Sequence, residues 1–154
     1  MADFYADSSV LVKRHVRETG TDWFVAVADP ATGNTILTAQ VSVVEVISAF
    51  QRRVREGTLS AADAARLSAD FQALCQVEYR LVALTAPVVD QACQLLVRHP
   101  LRAYDAMQLA AAMVANEALV AAGMATVTFL SADQRLLDAA RVEGFTTADP
   151  STFP

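Results

Sequence analysis

The stretch "TVTFLSADQRLLDAARVEGFTTA", Thr126 to Ala148, sets how the rest of the chain is read. Its first part, "TVTFLSA", is rich in β-branched residues and predicts a strand; "DQRLLDAARVEG" predicts a helix, and "FTTA" a last short strand. A strand, a helix and a strand in that order form a crossover unit whose strands run parallel.

Outward from this unit the alternation continues to the amino terminus. "FYAD" (Phe4 to Asp7) is a short strand, and "SSVLVKRHVRE" takes up helical spacing, with Val12, His15 and Val16 on one side, until Gly20 stops it. A helix around "TDWFVAVAD" ends near Asp29 and Pro30, and "TGN" turns the chain into the strand "TILTA". Val43, Ile47, Phe50 and Val54 mark another helix, closed by Gly57, and Ser60 caps an alanine-rich helix through about Val77. "YRLVAL" is a strand. Pro87 sits in the first turn of the next helix, and His99-Pro100 separates it from the alanine-rich helix that begins in "LRAYDAMQLAAAMV". The expected architecture is α/β: a Rossmann-like three-layer fold with a central parallel β-sheet flanked by helices, occupying residues 1–154 as one domain.

The chain has 154 residues, 54% of them hydrophobic and 19% charged, with a formal net charge of -5. That acidity argues against a simple electrostatic binder of nucleic acid and requires any such binding to be local. The apolar excess suggests surface reserved for a partner. "MADFYADSS" has no basic region leading into an apolar run, so it does not read as a signal peptide, and a cytoplasmic protein is expected. The alanine-rich region from Ala103 to Leu130 is broken by Asp105, Gln108, Asn116, Glu117 and Gly123, and does not read as a membrane span. Cys75 and Cys93 have neither metal-binding nor redox spacing and are read as small buried hydrophobes.

Ligands of open parallel sheets bind at the carboxyl ends of the strands. Four acids fall there: Asp7 after the first strand, Glu45 early in the helix after the second, Asp133 after "TVTFLSA", and Asp105 early in the helix that follows Pro100. Each also has a structural reading. Asp7 can cap a helix, Ser42 with Glu45 and Ser131 with Gln134 have capping-box spacing, and Asp105 can complement a helix dipole. As a set, converging carboxylates repel one another, and a divalent cation resolves the conflict. Magnesium or manganese suits an all-oxygen donor set, whereas zinc is disfavoured because His15 and His99 lack ligand spacing.

"DSSVLVKRHVRE" with Asp7, "SVVEVISAFQRR" with Glu45, "RAYDAMQLAAA" with Asp105 and "FLSADQRLL" with Asp133 together resemble a PIN domain, specifically a VapC-type toxin of a bacterial toxin–antitoxin pair. The resemblance covers nearly the whole chain and implies a magnesium- or manganese-dependent endoribonuclease built on Asp7, Glu45, Asp105 and Asp133. His15 departs from the tyrosine common at that place in the family. Asp7 and Asp105 would be direct metal ligands, with Glu45 and Asp133 either binding the metal through water or orienting and deprotonating the attacking water. It also implies a homodimer and a small antitoxin, which would present a cation such as arginine to the acidic cleft.

A basic rim would reconcile an RNA substrate with the net acidity. It comprises Lys13, Arg14 and Arg17, then Arg52, Arg53 and Arg55, then Arg98 and Arg102; Lys13 and Arg14, nearest Asp7, are the expected phosphate contacts. Phe50, Leu67, Phe71 and Leu74 mark the helices from Val43 to Val77 as a candidate contact surface, with core packing as the alternative. Two other functions compete. A magnesium-binding receiver domain fits poorly, since Asp7 is followed by Ser8 and Ser9 and "FTTADPSTFP" has no lysine. A catalytically silent module that only binds protein or RNA would not need all four acids.

Overall fold

The computed structural model describes residues 1–154. Five strands, β1 (Asp3–Ala6), β2 (Thr35–Ala39), β3 (Tyr79–Val82), β4 (Thr128–Leu130) and β5 (Thr146–Ala148), form one parallel sheet in the order β3-β2-β1-β4-β5. The helices are α1 (Ser8–Val12), α2 (Thr21–Val27), α3 (Val41–Arg55), α4 (Ala61–Val77), α5 (Ala86–Arg98), α6 (Ala103–Ala121) and α7 (Gln134–Val142).

Period-two alternation along the strands sorts the core into two layers. Tyr5 pairs in register with Leu37 and Phe129, and all three belong to the core shared with α5, α6 and α7. Their neighbours Ala6, Ile36 and Leu130 belong to the core shared with α1 to α4. Strands buried on both faces carry few polar residues, and Asp7 immediately follows one of them. The chain builds β1, β2 and β3 outward in one direction, then returns across the sheet to lay β4 on the other side of β1. The order therefore reverses between β1 and β4, where the carboxyl ends of strands diverge and leave a crevice.

The first helix is shorter than its spacing suggests. After Val12 the backbone tightens to i→i−3 hydrogen bonds, from the N–H groups of Lys13, Arg14 and His15 to the carbonyls of Val10, Leu11 and Val12. The Lys13 ammonium meanwhile binds Glu18 Oε1 at 3.0 Å and the Thr19 carbonyl at 2.9 Å, folding the segment back on itself. Gly20 does not stop that helix; it caps the start of α2 with φ 89°, and a Cβ there would lie 2.4 Å from the Pro150 carbonyl oxygen. Phe50 and Phe71 are fully buried, so the α3–α4 pair spends its largest side chains on the core rather than on a contact surface. Cys93 is exposed and Cys75 half-buried, so neither is a core residue. No helix is long and apolar enough to cross a membrane.

His15 packs edge-on against Phe50 and Phe71, and its Nε2 has no hydrogen-bond partner. Burial, reinforced by the charge of Arg14 and opposed by Asp70, pushes its pKa down to about 4. Below pH ~6.5 the unfolded chain takes up a proton that the folded chain refuses until about pH 4, so this residue removes stability as pH falls through that window. His15→Phe should therefore be more stable than the wild type at pH 5 by about 1–2 kcal/mol relative to their difference at pH 7.5, after allowing for partial solvent access of the ring. Parallel urea titrations at the two pH values check this; an unchanged difference would show that the ring is protonated in the fold.

Candidate functional site

Asp7 leaves the end of β1 at the crevice, 4% exposed, and caps α1 by accepting from the Val10 N–H at 3.2 Å. Its other contacts are hydroxyls: Ser9 Oγ donates to Oδ1 and Ser131 Oγ to Oδ2, each at 2.6 Å. The same hydroxyl oxygens accept from the backbone N–H groups of Ala132 and Asp133, both at 3.0 Å, tying the segment after β1 to the segment after β4. Asp133 is itself the N-cap of α7, accepting from the Arg135 and Leu136 N–H groups through one oxygen, Oδ1. The other oxygen makes no hydrogen bond within the chain.

Glu45 is held from two sides. Gln108 Nε2 donates to Oε1 at 2.7 Å and Ser8 Oγ to Oε2 at 3.2 Å. Gln108 also donates to Ser42 Oγ and accepts from the Tyr5 hydroxyl, each at 2.8 Å, so this 1%-exposed amide joins β1, α3 and α6. Ser42 accepts from Thr38 and Gln108, and no capping box with Glu45 forms, because α3 begins at Val41 without a side-chain cap. Asp105 lies in the first turn of α6, three residues before Gln108, so both project from one side of that helix.

The electrostatics link all four acids. Burial pushes the Asp7 carboxyl up to about 6 against the pull of Ser131, Ser9 and the Val10 N–H, and the charge of Glu45 adds to the rise. Burial raises Glu45, opposed by Gln108 and Ser8 and helped by the charge of Asp105. Burial raises Asp105 as well, helped by Asp133 and opposed by Arg102 and Arg135. Each carboxylate thus feels the next in a chain from Asp7 to Glu45 to Asp105 to Asp133. No three of them converge into a ready-made ligand cage. An all-oxygen set of this charge fits a hydrated magnesium or manganese ion, which needs only one or two carboxylates and keeps several waters.

Lys13 and Arg14 are occupied elsewhere. Lys13 is 4% exposed and paired with Glu18. Arg14 meets Glu78 at 2.8 Å and the Tyr79 hydroxyl at 3.2 Å, with its guanidinium over the Tyr79 ring. Expected at the rim, both are instead structural cations, because their partners lie in neighbouring loops and strands. The cations whose charge reaches Asp105 are Arg102 and Arg135, both exposed and neither in an ion pair. A groove of about 450 Å³ opens beside the acids, lined by Glu45 itself and by Ser8, Tyr104 and Ala132, the sequence neighbours of Asp7, Asp105 and Asp133.

Gln108 is the residue that sequence reading passed over as a mere break in an apolar run. The only signal was a general one: a long amide on the side of the helix that also carries Ala111 and Ala112 must find partners when that side is buried.

The sequence has no match among curated proteins. Among solved structures, the chain is similar in fold to VapBC2 from Rickettsia felis, bound to a promoter DNA fragment, at TM-score 0.67 and 9% identity, covering 96% of this chain and 98% of that one. It is similar to a toxin–antitoxin complex from Klebsiella pneumoniae at TM-score 0.62 and 13% identity, covering 96% and 97%. It is similar to VapC20 from Mycobacterium tuberculosis, a sarcin-ricin loop cleaving toxin, at TM-score 0.60 and 16% identity, covering 98% and 99%. In sequence, residues 4–142 match the PIN domain, a span running from β1 to the end of α7 that contains all four acids and the crevice between β1 and β4. The chain belongs to the PIN domain family.

Proposed function

We propose that this chain is a metal-dependent endoribonuclease and the toxin of a toxin–antitoxin pair, acting as one domain over residues 1–154. The observation that carries the reading is the burial of Asp7 at the β1–β4 crevice, charge-coupled through Glu45 and Asp105 to Asp133. A fold keeps a carboxylate whose burial works against its ionisation when that carboxylate has work to do. Family membership and the likeness to toxin structures support the same reading.

Asp7 and Asp105 would hold magnesium or manganese directly, and Glu45 and Asp133 through water. The bound ion supplies charge neutralisation at the phosphate and a water acidified enough to attack it. The chain's own residues do the positioning. Ser9 and Ser131 fix both oxygens of Asp7, and Gln108 and Ser8 fix Glu45, so that the site is organised before RNA arrives. Asp133 has one oxygen beyond its capping bonds with which to accept a proton.

Chelation tests the reading. Purified chain should cut RNA with magnesium or manganese, stop in EDTA and resume when the ion is restored, while Asp105→Asn purified in parallel stays inactive. Cleavage that survives exhaustive chelation, or that persists in Asp105→Asn, would refute it. The antitoxin and the homodimer belong to the same proposal. Exposed apolar residues available to such contacts include Val44 on α3, Val77 at the end of α4, and Val89, Leu96 and Val97 on α5, whereas Phe50 and Phe71 are buried.

A further inference from the structure

The groove beside Glu45 follows one face of α3, from Glu45 through Ser48 to Arg52. Seven residues of helix put Arg52 about 10 Å along the axis from Glu45. Arg52 enters no ion pair, whereas its neighbour Arg53 reaches Glu18 at 3.3 Å. On the opposite wall stands Tyr104, the residue before Asp105, 53% exposed. Its ring has no aromatic neighbour and its hydroxyl no hydrogen-bond partner within the chain, although all other tyrosines of the chain, Tyr5 and Tyr79, are buried and bonded.

We propose that this groove seats one unpaired nucleotide of an RNA strand, with Tyr104 stacking on the base and Arg52 contacting a backbone phosphate. The inference rests on the ribonuclease reading above and adds residues that position the substrate. An exposed aromatic ring next to a metal-binding acid offers a flat apolar face that any base can use, without regard to sequence. In a duplex, stacking between successive base pairs hides those faces, so the seat selects loops and single strands. Arg52 supplies the local positive charge that a chain of net charge -5 needs in order to hold a phosphate close to its acids. Beside the apolar Val44 and Ala49, which can flank a base, Ser48 offers a hydroxyl to sugar or phosphate oxygens.

The test uses the full chain in EDTA with a short single-stranded oligoribonucleotide carrying 2-aminopurine. Binding should quench the probe. Tyr104→Ala should raise Kd by about 5- to 100-fold and abolish the quench, while Tyr104→Phe keeps both. Arg52→Gln should lower the slope of log K against log salt by about one. Wild-type binding and quenching in Tyr104→Ala, equal quenching by a duplex, or no binding by the wild type overturns the seat. Should Tyr104→Ala keep the oligonucleotide but lose co-purification with the product of a neighbouring gene, the groove belongs to a protein partner and the seat is again overturned. Cleavage assays separate this inference from the ribonuclease reading. RNA bound through Tyr104 but left uncut supports the seat and removes the nuclease. RNA cut by Tyr104→Ala with wild-type KM overturns the seat and leaves the nuclease standing.

Discussion

Asp7→Asn is expected to lower RNA cleavage by about 10³-fold or more while raising the stability of the chain measured in chelator. The loss follows from removing a carboxylate proposed to hold an ion that would stabilise the transition state by several kcal/mol, at about 1.4 kcal/mol per tenfold. The gain follows from the burial of the same carboxylate. Its pKa rises from 3.8 to about 6 on folding, so the folded chain holds the proton more tightly than the unfolded one, and stability is lost as pH climbs through that range. The full penalty, about 3 kcal/mol, applies above pH ~6 and vanishes below ~4. Asparagine carries no charge and still accepts from the Val10 N–H, but its amide faces Ser131, whose hydroxyl must turn, returning part of the gain. A net stabilisation of about 1–2 kcal/mol at pH 8 is expected, reversing to a net loss of about 1–2 kcal/mol at pH 4, where the burial penalty is gone and the Ser131 mismatch remains. Chemical denaturation of both proteins across pH, with manganese titration calorimetry, checks both halves. Unchanged manganese affinity would displace Asp7 from the metal site, and a less stable variant at pH 8 would contradict the burial argument.

The second large effect is expected at Gln108. Gln108→Leu conserves bulk but strands the Tyr5 hydroxyl and takes one hydrogen bond each from Ser42, which keeps Thr38, and from Glu45, which keeps Ser8. Leaving such groups unpaired costs about 1–3 kcal/mol each where they cannot reach water, so a loss of roughly 2–4 kcal/mol is expected. Glu45 also loses the donor that orients it, and a residue in that supporting role is worth about 10- to 100-fold in activity. Tyr5→Phe provides the control. Removing both partners of one buried hydrogen bond costs less than the sum of the single changes, so the Tyr5→Phe/Gln108→Leu pair should be clearly non-additive in stability. Additive losses would mean that the amide and the phenol act independently.

These two positions show how unevenly the site is written in the sequence. The four acids of the proposed site, Asp7, Glu45, Asp105 and Asp133, stand out in the sequence because each follows a recognisable strand or opens a recognisable helix, and their flanking motifs resemble those of the PIN domain. Gln108 does not, since nothing in an alanine-rich run tells which side of the helix meets Tyr5, a residue 103 positions away. The partners of Lys13 and Arg14 were hidden for the same reason: nearness to Asp7 along the chain says nothing of Glu18 or Glu78, with which they pair.

By itself the sequence determined the order of strands and helices, their parallel arrangement and the family. These depend on period-two and helical spacing, turn residues and caps, all set within a few residues of chain. Only the tertiary structure decided that the first helix ends at Val12, that Phe50 and Phe71 belong to the core, and that Arg52 and Tyr104 face one groove while Lys13 is buried. Burial and ion pairing are choices among partners brought together by the crossing of β4 to the far side of β1, and no local pattern encodes which partner wins.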